Sequence, residues 1–280
     1  MFDWEGYLPR GPGRLHYWEL RPTGAPPKGL VAIVHGVGEH SGRHRRLAEF
    51  LVDRGYEVLL HDLRGHGRTD GLRGHVDRFE DYTDDLRALV DVRNFPGPAF
   101  VLGHSLGGLI AAAFAQSYSN RLTGFILSSP CLKLRVVPPR WKQWLARQLH
   151  PVIPHLQLSS WLRPEALAHD RRVVAAYRAD PLCFGQVTLQ WYMELVRKMA
   201  EVNQRASSTT LPALVLQAGD DALVDPEGIR DFFARLGSQD KKLVVYDGAY
   251  HEIFNEDCQA QAREEVAAWL DAHSARPCRA

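Results

Sequence analysis

"LGHSLGG", residues 102–108, decides how this chain is read. Glycines at 103 and 107 flank Ser105. That spacing suits an ordinary tight strand-to-helix turn, and equally a turn that presents a nucleophile. Before the serine, "AFVLGHS" (99–105) is a short apolar run of strand length. After it, "LGGLIAAAFAQSY" (106–118) has the composition of a helix rich in small residues. A hydroxyl is a weak nucleophile near neutral pH and needs an adjacent base. The choice therefore rests on what the remaining strands carry at their ends.

Working outward, short apolar runs alternate with helical patterns. "LVAIVHG" (30–36), "YEVLLHD" (56–62), "LTGFILSSP" (122–130), "PALVLQAG" (212–219) and "KKLVVYDG" (241–248) read as further buried strands. Between them, residues 43–55, 78–93 and 226–237 read as helices, and "QAQAREEVAAWLDAH" (259–273) as the last helix. Continuously apolar strands alternating with helices predict an α/β fold: a mostly parallel sheet with helices on both faces. Residues 131–210 break the alternation and contain no convincing strand. They are expected to form an inserted helical cap, with 1–130 and 211–280 as the core. In "PPRWKQWLARQLHPVIPHL" (138–156), Trp141, Trp144 or Leu145, and Leu149 share a helical face. That face either packs on the domain or helps line an acyl-binding channel.

Composition narrows the functional classes. The chain has 280 residues, 45% hydrophobic and 24% charged, with a formal net charge of +1. It is long enough for one large α/β domain, and nothing favours nucleic acid as a partner. The basic clusters at 43–46 and at Arg171 and Arg172 are expected to be solvated helix faces. Cys131, Cys183, Cys258 and Cys278 show no C-x-x-C spacing, which argues against a zinc site or a disulfide framework. No signal-peptide pattern or spanning apolar run is visible. A soluble cytoplasmic protein is expected, touching membranes only transiently through the cap.

If Ser105 is a nucleophile, an acid and then a base should follow at the ends of later strands. His251, in "YDGAYHEIFNE" (246–256), comes directly after the last strand, where the base belongs. "LQAGDDALVDP" (216–226) offers Asp220, Asp221 and Asp225. Asp225 before Pro226 reads as a helix N-cap. Asp221, with Val224 three residues on, is preferred as the acid over Asp220. "VHGVGEHSG" (34–42) leaves the first buried strand through glycines that permit an unusual backbone path. Its Val37 N–H, with that of Leu106, is the expected oxyanion donor pair. His104 is expected to pack in the core away from the nucleophile, and His273 to face solvent. "HDLRGHG" (61–67) lacks the further ligands a metal would need.

"HGVGEHSGR", "DLRGHGRTDG", "GHSLGG" and "GAYHEIFNE" together resemble the monoacylglycerol lipase and lysophospholipase group of α/β-hydrolases. The resemblance runs from about residue 14 to 272 and extends into the cap at "VVAAYRADPL" (173–182). It implies an α/β-hydrolase fold and a serine esterase with the triad Ser105, Asp221 and His251. The implied oxyanion donors are Val37 and Leu106. It further implies that Glu39, Arg43 and Tyr177 face the polar head group of a lipid ester, with no metal or cofactor. For Glu39 and Arg43 the alternative is an ion pair that supports the oxyanion loop. The expected reaction is release of fatty acid from monoacylglycerol through an acyl-enzyme. A lysophospholipase, a general carboxylesterase, and a non-catalytic lipid-binding protein of the same fold are the alternatives.

Overall fold

The computed structural model describes residues 1–275 apart from Pro12 and Trp161. Two strands, β1 (Phe2–Arg10) and β2 (Gly13–Arg21), form an antiparallel hairpin in register from Phe2↔Arg21 to Arg10↔Gly13. Then follow β3 (Leu30–Val34), α1 (Arg45–Asp53), β4 (Glu57–His61), α2 (Glu80–Arg93) and β5 (Ala99–His104). The helix α3 (Leu106–Ser117) and the strand β6 (Gly124–Ser128) come next. An inserted segment contributes α4 (Arg140–Leu149), β7 (Gln157–Ser159), α5 (Arg171–Ala179), β8 (Gln186–Thr188) and α6 (Leu189–Gln204). The chain returns through β9 (Ala213–Ala218), α7 (Pro226–Arg235), β10 (Lys241–Tyr246) and α8 (Gln259–Ser274).

Eight strands make one sheet in the order β1-β2-β4-β3-β5-β6-β9-β10. From β4 to β10 every pairing is parallel, and only the β1–β2 hairpin and its pairing to β4 are antiparallel. The strands are apolar throughout because both faces are covered. Along β3, Leu30, Ala32 and Val34 enter the core beneath α2, α3 and α7, while Val31 and Ile33 enter the core beneath α1 and α8. The turns that carry Val37, Ser105, Asp221 and His251 leave the carboxyl ends of β3, β5, β9 and β10, where open α/β sheets place their ligand crevice.

Two features depart from the sequence reading. The N-terminal hairpin went unassigned, although the alternation in β1 and β2 around Gly11, Pro12 and Gly13 carries a hairpin signal. The inserted segment was expected to hold no strand, yet β7 and β8 pair antiparallel. At three residues each they are too short to show a period.

Candidate active site

Ser105 sits between β5 and α3 with φ 54° and ψ −116°, a region that a non-glycine residue occupies only under constraint. The constraint is backbone hydrogen bonding on both sides. Ser105 N–H donates to Ser128 O (3.0 Å), and Ser105 O accepts from Cys131 N (2.8 Å) and Gly108 N (2.9 Å). Gly107 is required by crowding, since a Cβ there would lie 2.0 Å from Val34 O. The turn therefore brings α3 hard against β3, which the flanking glycines of the motif permit. Leu106 is the first residue of α3, so its N–H has no partner within the helix and points from the positive end of the helix dipole.

Asp221 and His251 meet beside it. His251 Nδ1 lies 2.7 Å from Asp221 Oδ2, and both side chains are buried. The other carboxylate oxygen of Asp221 accepts from Leu223 N (2.8 Å) and Val224 N (3.0 Å), so the acid is oriented by its own turn. Burial alone would lower the His251 pKa, but the charge and hydrogen bond of Asp221 outweigh it, and the net shift is upward from 6.5. Asp220 is exposed at the rim. Asp225 caps α7 by accepting from Glu227 N at 3.2 Å.

The loop after β3 is held by a polar network. Glu39 is buried; its carboxylate accepts from Gly36 N (2.6 Å), Arg43 Nη1 (3.1 Å) and His44 Nε2 (3.1 Å). Burial would raise the Glu39 pKa, but His44 and Arg43 hold it well below the usual carboxylate range. Arg43 also makes a two-pronged pair with Glu252, at 2.6 and 2.8 Å. Tyr177 O–H donates to Gly38 O (2.9 Å), and the Arg43 guanidinium lies over its ring at 4.9 Å. Gly38 itself has φ 70°. Val37, Glu39, Arg43, Ser105, Tyr177 and His251 line one small cavity, roofed by Leu162 and Leu167. Glu39 and Arg43 are thus ion-paired to each other beneath the loop while also bordering this cavity.

Several expectations need correction. His104 is buried as expected, but it lies against the site, its ring tilted 54° and 4.8 Å from that of His251. Burial first, then the neighbouring His251, pushes its pKa well below 6.5. His273 faces inward, with Nδ1 2.6 Å from Trp269 O and its ring stacked on Trp269 at 4.0 Å. The cluster at 43–46 is no plain solvated face, because Arg43 and His44 turn into the Glu39 network. Glu252 was missed, although it directly follows His251 in the motif. Asp62 of "HDLRGHG" is committed to Ser41 N (2.8 Å), Ser41 Oγ (2.6 Å) and Arg68 N (2.8 Å), a structural role. Among the described residues Cys131, Cys183 and Cys258 are free thiols, and Cys278 lies outside them.

Residues 25–258 match the hydrolase family described as Hydrolase_4, serine aminopeptidase S33. The chain is 35% identical to a phospholipase, YtpA, of Bacillus subtilis over 88% of its own length and 96% of that protein. It is 34% identical to a monoacylglycerol lipase of Mycolicibacterium smegmatis over 88% of its length and 89% of that protein. The chain belongs to this α/β-hydrolase family. It is a serine ester hydrolase. A crystal structure of the monoacylglycerol lipase of Paleococcus ferrophilus superposes with a TM-score of 0.86 at 32% identity, covering 92% of this chain and 99% of that one.

Proposed function

We propose that this hydrolase releases fatty acid from monoacylglycerol through Ser105, His251 and Asp221. The observation that carries the reading is the buried His251–Asp221 pair at 2.7 Å, whose His251 lines one cavity with a serine held on a strained turn. With Nδ1 engaged by Asp221, His251 offers Nε2 to the Ser105 hydroxyl. Ser105 Oγ attacks the ester carbonyl as His251 takes its proton. The N–H groups of Val37 and Leu106 stabilise the oxyanion, each donor contributing about 3 kcal/mol to the transition state. The tetrahedral intermediate collapses to an acyl-enzyme, and His251 returns the proton to the departing glycerol oxygen. Water then attacks with His251 as base, and Ser105 leaves as the alcohol. Asp221 stays ionised, fixing the imidazole tautomer and stabilising imidazolium. No step requires a metal or cofactor.

The inserted segment acts as a cap in this reading, with the core formed by 1–130 and 211–280. The cavity over Ser105 holds only about 10 Å³, room for a single water and far too little for an acyl ester. Leu162, Leu167 and Tyr177 must therefore move for substrate to enter. Glu39, Arg43 and Tyr177 border the end where a glycerol head group would sit. The outer face of α4 is apolar and exposed, with Trp141 at 62% and Trp144 at 63% of full exposure. That face meets the lipid surface transiently; among the described residues no helix is long and apolar enough to cross a membrane. The free thiols of Cys131, Cys183 and Cys258 suit the reducing cytoplasm.

A lysophospholipase is the second reading, favoured by the 35% identity to a phospholipase. Fatty-acid release from monooleoylglycerol, lysophosphatidylcholine and a short p-nitrophenyl ester, with Ser105→Ala as blank, decides between them. Preference for monooleoylglycerol supports the proposal. Preference for the lysophospholipid or the short ester overturns the substrate while leaving the triad.

A further inference from the structure

His40 lies far in sequence from Asp180 and Cys183, and folding brings the ligand atoms of all three within 4.8 Å of one another. His40 belongs to the loop after β3, three residues beyond Val37. Asp180 and Cys183 belong to the turn that follows α5 in the inserted segment. We propose that these three side chains form a binding site for a borderline-soft divalent cation of the Zn²⁺ type, whose occupancy bolts the inserted segment to the oxyanion loop and slows turnover.

The geometry is already convergent. His40 Nε2 is 2.9 Å from Asp180 Oδ2. Asp180 Oδ1 accepts from Leu182 N (2.9 Å), which leaves Oδ2 turned towards His40. Cys183 N–H donates to Asp180 O (3.1 Å), so the two ligand-bearing residues share one tight turn. The turn is tied to the loop by backbone as well: Phe184 N–H donates to Gly38 O at 3.0 Å. All three side chains are partly buried, and a fourth ligand would be water, as in an open zinc site. Bonds of about 2.0–2.3 Å in a tetrahedron put ligand atoms roughly 3.3–3.8 Å apart. A separation at the 4.8 Å limit must therefore shorten by about 1–1.5 Å, while the 2.9 Å His40–Asp180 pair opens slightly, both within reach of side-chain rotation.

The donor chemistry selects the ion. One imidazole, one carboxylate and one thiolate match Zn²⁺ and Co²⁺, whereas Mg²⁺ and Ca²⁺ demand oxygen. Binding expels the Cys183 thiol proton to solvent. His40 must carry its remaining proton on Nδ1, giving up the 3.3 Å contact from Gly42 N. The nearby cation is Arg43, and its charge is already taken by Glu39 and Glu252. The thiolate and carboxylate then leave the site with a net negative charge for the metal. The effect on turnover rests on the hydrolytic reading, because it follows from a segment that must move to admit substrate. Metal binding itself does not depend on that reading.

The test uses the full chain, freed of metal by chelator. Co²⁺ should produce a thiolate-to-metal charge-transfer band that Zn²⁺ displaces. Cys183→Ala should lack the band, lose Zn²⁺ affinity by about tenfold or more, and melt within a degree or so of the parent in EDTA. Zn²⁺ should slow ester hydrolysis by the parent, EDTA should restore it, and Cys183→Ala should resist. Absence of the band in the parent would overturn the site whatever the activity. Equal Zn²⁺ inhibition of parent and Cys183→Ala would overturn the coupling, since the ion would then act elsewhere.

Discussion

At the residue scale the account turns on which aspartate serves His251. Asp221 is buried and bonded to His251 Nδ1, whereas Asp220 is exposed with its backbone N–H on Ala249 O. Asp221→Asn should lower kcat by about 10⁴-fold, and Asp220→Asn should stay near the parent. Comparable losses in both variants would contradict the assignment. The pH profile adds a sign. His251 must be neutral to act as base, and its pKa is raised because Asp221 outweighs burial. The acidic limb of kcat/KM should therefore have its midpoint above 6.5, with activity lost as pH falls through it. Residual activity of Asp221→Asn should show that midpoint shifted down, since only the weaker influence of Glu252 and Glu39 then opposes burial. By linkage, the same raised pKa makes this pair's contribution to stability complete below pH 6.5 and lost as pH rises through the folded value.

At the element scale the elbow is the most constrained feature. Its cost is visible in the positive φ of Ser105 and in the contact between Gly107 and β3. Gly107→Ala would place a methyl 2.0 Å from Val34 O. It should destabilise the fold by about 1–3 kcal/mol and depress turnover together. Thermal melts read the first and ester hydrolysis the second. An unchanged melting temperature would mean that β3 and α3 are not so tightly apposed. This element was legible in the sequence because strand, turn and helix each have a local signature. Asp225 as the cap of α7 was legible for the same reason. The Glu39–Arg43–Glu252 network was only half legible. Glu252 comes from a loop 209 positions away from Arg43, and no local pattern announces such a pairing.

At the scale of the whole molecule, the parallel sheet and its strand order of functional residues followed from apolar runs alternating with helices. His273 was misread because burial at a helix end depends on what packs from elsewhere, and His104 was read as buried but not as lying against His251. The short β7–β8 pair has too few residues for any periodic signal. Where the apolar face of α4 points was likewise invisible, since its spacing suits either packing or exposure. In the fold, eight of the fourteen exposed large apolar side chains among the described residues fall between Val136 and Leu156. A patch so concentrated marks a lipid or protein contact. Replacing Trp141 and Trp144 together by serine should weaken binding to phosphatidylcholine vesicles by about tenfold or more, while leaving hydrolysis of a soluble short ester intact. Unchanged vesicle binding would remove the α4 face as the lipid contact.

The most direct test of the central claim is intact-mass measurement of the folded protein after reaction with a fluorophosphonate. The account predicts one adduct, mapped to Ser105, and none in Ser105→Ala. A parent protein that stays unmodified, or an equal adduct in Ser105→Ala, would contradict Ser105 as the nucleophile.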